Sequence, residues 1–388
     1  MRFSPAATCL FLVFSCFPGW GHSQTAEREC QCILNNLYLD VFLLVDTSSL
    51  MGDAGLFEVA ANVNSVFGFS QIRVGDQYAD KRGVRVAVVS YSSQALVTAN
   101  LSDFHSTDEL TKTIYALKSV DDDVSNLQQA MQTVQRMRQF TDQNAPRNNT
   151  KTVVIVYAAD YQDSDQPTIG EIGTQLKNDG VVIVTMADIN RNTHNQILKL
   201  AELASPNDAF NIDDDYPSEE VQKALCRANC FCPSLYTQYT TSHNGTYRQY
   251  GSCVRAEIET MSWTNAKFRC QNLHKLGYLA TEYTAEKHIF NSNLFKTHSG
   301  ASEPYKYHIG LHYVNGGYFW EQSTGLPLVA LSSPYYPLDS KPASTLQCVS
   351  NDENTDSKEE TWQNVNCFNE QRAFLCEVPA CDTQNYCG

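Results

Sequence analysis

Four short valine-rich runs constrain this chain more than any other feature: residues 41–45, 84–89, 153–156 and 181–184. A strand with one wet face alternates apolar and polar residues. These runs are almost continuously apolar, as expected of strands buried on both faces of a parallel sheet. Helical periodicity fills the gaps, at 56–69, 108–117, 126–140, 169–178 and 195–203. An edge strand is expected at 95–98, a last short strand at 209–212 and a closing helix at 218–228. Such alternation predicts an α/β doubly wound domain over residues 35–226.

From Phe231 the composition changes, and aromatic and polar residues replace the valines. Residues 262–270 start with a good N-cap, Ser262, and place Trp263, Ala266 and Cys270 on one helical face. A second helix is expected over 284–294. Then come His308-Ile309-Gly310-Leu311, Tyr318-Phe319-Trp320, Cys348-Val349, Trp362 with Cys367, and Phe374-Leu375-Cys376-Glu377. A length of 388 residues suits two domains better than one core.

The first 23 residues read as a secretory signal. Arg2 supplies the positive end, residues 9–17 a short apolar stretch, and Gly21 and Ser23 small residues for cleavage. That stretch falls short of the roughly 20 residues a membrane span needs, and no later stretch qualifies. Removing Cys9 and Cys16 leaves 12 of the 14 cysteines, an even number in an oxidising compartment. Single-residue spacings such as Cys30-Gln31-Cys32 and Cys230-Phe231-Cys232 suit disulfides better than zinc. Three sequons, at Asn100, Asn148 and Asn244, agree with a glycoprotein in the extracellular space. The net charge of −15, from 43 acidic and 28 basic residues, argues against a nucleic-acid partner.

In doubly wound folds ligands sit at the carboxyl ends of the strands. The first strand ends Asp46-Thr47-Ser48-Ser49-Leu50, the fourth ends Ala159-Asp160, and Asp123-Val124-Ser125-Asn126 opens a helix between them. Converging carboxylates and hydroxyls would make a hard, all-oxygen site suited to magnesium or calcium. Equally, these residue types cap helices and satisfy loop amides. Over nearly its whole length this domain resembles the von Willebrand factor type A domain, a Rossmann-like fold. That family holds a metal through Asp-x-Ser-x-Ser, a Thr in a later loop and an Asp after the fourth strand. The resemblance implies a degenerate site of Asp46, Ser48, Ser125 and Asp160, in which Leu50 stands for the second Ser and Ser125 for the Thr.

The ordered series of motifs after Phe231 resembles the C-type lectin-like domain, an α+β fold, over residues 231–378. The resemblance implies the pairs Cys270–Cys376 and Cys348–Cys367, with Cys232–Cys253 clasping an N-terminal hairpin. His308 departs from the family's usual Trp. Calcium-dependent sugar binding in that family needs acid–amide pairs beside a loop proline and after the final Trp. Tyr336-Pro337-Leu338, Lys341-Pro342-Ala343, Gln363 and Asn364 do not supply them. Acids do gather at Asp352, Glu353, Asp356, Glu359 and Glu360, where a solvated loop is expected.

Cys30 and Cys32 precede the first domain and Cys226 and Cys230 follow it, so two bridges should join these pairs, with the connectivity open. Cys381 and Cys387 would pair within a short tail, 379–388. The domain combination resembles the secreted C-type lectin families of nematodes. That implies an extracellular recognition protein binding glycan by a calcium-independent or non-standard mode, with a role in innate defence. The alternative is an adhesion protein that docks a protein partner through the type A domain. No enzyme is expected: Gly-x-Ser-x-Gly, His-Glu-x-x-His and a phosphate-cradling glycine loop are all missing.

Overall fold

The computed structural model describes residues 27–75, 82–161, 168–189, 195–243, 246–332 and 334–387. The signal segment 1–23 and Asn244 lie outside the described residues.

The first domain runs β1 (Leu39–Asp46), α1 (Gly52–Val63), β2 (Arg85–Tyr91), β3 (Ala95–Ala99), α2 (Thr107–Tyr115), α3 (Leu127–Asn144) and β4 (Lys151–Ala158). It continues through α4 (Ile169–Asn178), β5 (Val182–Ala187), α5 (Leu200–Leu203), β6 (Ala209–Asn211) and α6 (Pro217–Ala228). The six strands lie in the order β3-β2-β1-β4-β5-β6. All neighbours are parallel except the β2–β3 pair. Every residue of β1 is buried. The period of two sends Val41, Leu43 and Val45 into one core and Phe42 and Leu44 into the other, so helices cover both faces of the sheet.

Local chemistry sets the helix ends. Ser106, Asn126 and Thr168 each cap a helix, and Thr168 and Glu171 form a reciprocal capping box. The helix expected over 56–69 begins earlier, at Gly52, and closes in a π-helical turn at Asn64–Gly68.

The second domain contains β7 (Thr237–His243), β8 (Thr246–Met261), α7 (Trp263–Leu273), β9 (Tyr278–Leu279), α8 (Ala285–Lys296) and β10 (Lys306–Val314). It ends with β11 (Gly317–Trp320), β12 (Val329–Ala330), β13 (Cys348–Glu353), β14 (Glu360–Val365) and β15 (Arg372–Pro379). The sheet path is β12-β11-β10-β15-β8-β7, with β13 bridging β10 and β14. Trp263, Ala266 and Cys270 are the buried residues of α7. Gly310 is required because an added Cβ would lie 2.4 Å from the carbonyl oxygen of Leu279. His308, in the tryptophan position, is fully buried, with Nε2 against the carbonyls of Met261 and Glu370. Burial pushes its pKa down to about 4.

Six disulfides staple the chain. The connectivity that the sequence leaves open is Cys30–Cys230 and Cys32–Cys226. Cys232–Cys253, Cys270–Cys376, Cys348–Cys367 and Cys381–Cys387 complete the set. The segment before β1 also binds the tail, through Arg28 to Asp382 at 2.6 Å and the Ile33 amide to Thr383 at 2.9 Å. Among the described residues no helix is long and apolar enough to cross a membrane.

Candidate functional site

The strand order reverses between β1 and β4, so the loops after these two strands diverge to opposite sides and leave a crevice at their carboxyl ends. Asp46 closes β1 there. One carboxylate oxygen accepts the Ser48 amide at 2.9 Å; the other accepts Ser125 Oγ at 2.9 Å and the Ala159 amide at 3.3 Å. The β1 end, the loop before α3 and the β4 end therefore converge on one carboxylate.

Asp46, Ser48 and Ser125 are fully buried, and Asp160 is 7% exposed. Burial pushes the Asp46 carboxyl upward, and the hydrogen bonds from Ser48, Ser125 and Ala159 pull it back only partly. Ser48 Oγ is buried close to the Asp46 carboxylate but makes no well-aligned hydrogen bond among the described residues. An orphaned hydroxyl beside a buried carboxylate leaves donor capacity unused. Leu50 stands 39% exposed. Asp46, Ser48 and Ser125 thus meet at one carboxylate, and Asp160 directly follows the Ala159 amide bound to it. Among the described residues no cluster of three or more His, Cys, Asp or Glu is arranged to hold a metal. Two carboxylates and two hydroxyls are a different donor set, of the hard all-oxygen kind.

The lectin-like face is built otherwise. Asn364 spends its amide on the Tyr318 hydroxyl at 2.9 Å and the Leu346 carbonyl at 3.3 Å. The solvated acidic loop expected at 352–360 needs correction. Asp352 and Glu353 are buried strand residues, and only Asp356 and Glu359 of the five acids are exposed. Asp352 pairs with Lys306 and Arg372, and Glu360 pairs with Lys296. Cations reach these acids from distant elements, which the local run of acids could not reveal.

Sequence reasoning also missed a buried polar cluster beneath the loop 331–346. Glu282 is fully buried and accepts Trp362 Nε1 and His288 Nδ1, both at 2.9 Å. His288 Nε2 lies 3.3 Å from Glu360 and 3.0 Å from the Tyr336 hydroxyl. Burial disfavours charge on His288, yet Glu282 and Glu360 outweigh it and push its pKa up to about 10. Glu360 also suffers from burial, but His288, Lys296, Ser292 and Asn351 hold it well below the usual carboxylate range. Tyr335 donates to the Glu282 carbonyl at 2.8 Å and packs on Trp362, which pins the loop to the core. No periodic pattern marks Glu282 or His288 in the sequence.

Asn100 and Asn148 are exposed, as sugar attachment requires.

Comparison with known proteins agrees with both halves. Residues 40–224 match the von Willebrand factor type A domain, and 259–378 match the lectin C-type domain. C-type lectin domain-containing protein 160 of Caenorhabditis elegans is 29% identical over 383 residues, covering 93% of this chain and 56% of the relative. The chain thus spans little more than half the length of that curated relative. Proximal thread matrix protein 1 from the mussel byssus, in a structure with a zinc-occupied MIDAS motif, is 17% identical over 50% of this chain and 48% of that one, with a TM-score of 0.39. Human lithostathine is 22% identical, covering 38% of this chain and 90% of its own, with a TM-score of 0.29.

Proposed function

From a chain that joins a von Willebrand factor type A domain to a C-type lectin domain, we propose a secreted recognition protein that binds glycan through its lectin face without calcium. It has no catalytic role in this reading. One observation carries the proposal: Asp352 and Glu360, two of the acids gathered in the lectin domain, are already paired with the protein's own cations, Lys306 and Arg372 for the first and Lys296 for the second. A calcium ion would have to displace these pairs and would find neutral Gln363 and Asn364 after Trp362. What that face offers instead is aromatic and amide chemistry, with Tyr313 packed edge-on to Tyr318 and Tyr318 bound to Asn364. Such groups recognise sugars by stacking and directional hydrogen bonds. Twelve paired cysteines support passage through an oxidising compartment, and recognition of microbial surface glycans in defence fits that location.

The test is a glycan array probed with the purified protein in EDTA and again in calcium. Equal signals in both buffers are the expected result. Binding that appears only with calcium would overturn the reading.

A second reading rests on the orphaned Ser48 hydroxyl. Asp46, Ser48, Ser125 and Asp160 would hold a magnesium or calcium ion, with water in the position that Leu50 vacates. The bound ion would supply a Lewis-acidic anchor for a carboxylate on a protein partner. In that arrangement Asp46 and Asp160 neutralise the charge and the two hydroxyls orient the set.

A further inference from the structure

A groove of about 560 Å³ lies beside α3, and its walls include Asn100, Leu101, Ser102, Met137, Phe140 and Thr141. Three of these residues are the complete sequon Asn100-Leu101-Ser102. Phe140 stands 67% exposed on the groove, so its ring is open to a covering group. The Asn100 side chain is exposed, and the turn after β3 holds it in place. Asp103 accepts the Asn100 backbone amide at 2.7 Å and Asn100 Nδ2 at 3.3 Å.

We propose that this groove is the seat of an N-linked glycan carried by Asn100, whose first sugar packs its apolar face on Phe140. The modification forms a bond from Asn100 Nδ2 to the anomeric carbon of an oligosaccharide. It breaks the bond from that carbon to the diphosphate of a lipid-linked donor, which leaves with the electron pair, and one amide proton goes to solvent. Nδ2 keeps its second hydrogen, so the bond to Asp103 survives and fixes the direction in which the sugar leaves the turn. The C–H face of a pyranose and a phenyl ring are complementary apolar surfaces, and covering Phe140 removes it from water. The covalent link adds effective concentration, so a weak contact suffices to seat the sugar. Asn148, by contrast, lies in the exposed turn between α3 and β4.

The inference rests on the secreted reading above, and the experiment separates the two. The full chain is expressed in a eukaryotic secretory host, and peptide mass spectrometry reads occupancy at Asn100. Melting temperatures are then compared for the wild type, Ser102→Ala, Phe140→Ala and the double variant. We expect an occupied Asn100 and a fall of about 2–4 °C in Ser102→Ala. Phe140→Ala should keep the glycan yet melt lower, and the double variant should fall no further than Ser102→Ala. A secreted, disulfide-linked protein with bare Asn100 overturns this inference and leaves secretion standing. Equal losses from Ser102→Ala with and without the Phe140→Ala substitution overturn the packing. Retention of the whole chain inside the cell removes both readings.

Discussion

Asp46 in the type A domain and Glu360 in the lectin domain are both carboxylates sunk into protein, and their surroundings are opposite. Asp46 meets two hydroxyl-bearing residues and a backbone amide, and no cation pairs with it among the described residues. Glu360 meets Lys296, His288, Ser292 and Asn351. A second cluster, shared between the lectin domain and the segment before β1, repeats the pattern. Lys287, fully buried, lies 3.3 Å from both Glu27 and Glu377 and donates to Ser252 at 2.6 Å. Asp46 has no cation of its own among the described residues, whereas Glu360 is paired within the chain. Buried charge works as an internal strut at Glu360, and under the second reading proposed above Asp46 would be the receptor.

That contrast predicts where truncation hurts most. Lys287→Met deletes the ammonium and strands Glu377, which also accepts Thr281 and Ser252 in the interior. An uncompensated buried charge costs about 3–5 kcal/mol. Chemical denaturation should show a loss of that size, confined to the lectin domain's transition. A loss below about 1 kcal/mol would mean that the cluster is not a strut.

The sequence disclosed some of this and concealed the rest, for a physical reason. The strands of the type A domain were legible because each is buried on both faces and therefore reads as valine. The meeting of Asp46, Ser48 and Ser125 at one carboxylate was legible because ligands sit at the strand ends of a doubly wound sheet. The lectin domain's acids were not. Asp352 and Glu360 look like part of a solvated run, while their partners Lys306, Arg372 and Lys296 lie well away along the chain. Pairing between distant elements leaves no local periodicity. For the same reason Glu282 and His288 passed as ordinary loop and helix residues.

The second prediction sharpens the comparison through pH. Folding raises the His288 pKa from 6.5 to about 10, so between these values the folded chain binds a proton that the unfolded chain does not. The stabilisation is fully present below about 6.5 and is lost as pH rises through about 10. Glu27, raised to about 7, changes stability mainly below that value, so a scan from pH 7.5 to 10 isolates the histidine. The lectin domain should lose about 3 kcal/mol across this range, and His288→Gln should flatten the profile. An unchanged slope in the variant would assign the loss to another group.

Asp46→Asn carries the smallest expected effect and bears most directly on the contrast. In EDTA the substitution removes a buried negative charge that has no cationic partner, which is favourable. It also leaves an –NH2 group facing either the Ser48 amide or the Ala159 amide, which costs about 1 kcal/mol. These terms oppose each other, so stability in EDTA should stay within about 1 kcal/mol of wild type. Magnesium or calcium should raise the melting temperature of wild type and leave the variant unmoved, because stabilisation by a ligand scales with its binding to the folded state alone. If Asp46→Asn costs as much in EDTA as Lys287→Met, the carboxylate is a strut like those of the lectin domain. The Ser48 hydroxyl would then be a packing defect, and the type A rim would lose its claim to a cation.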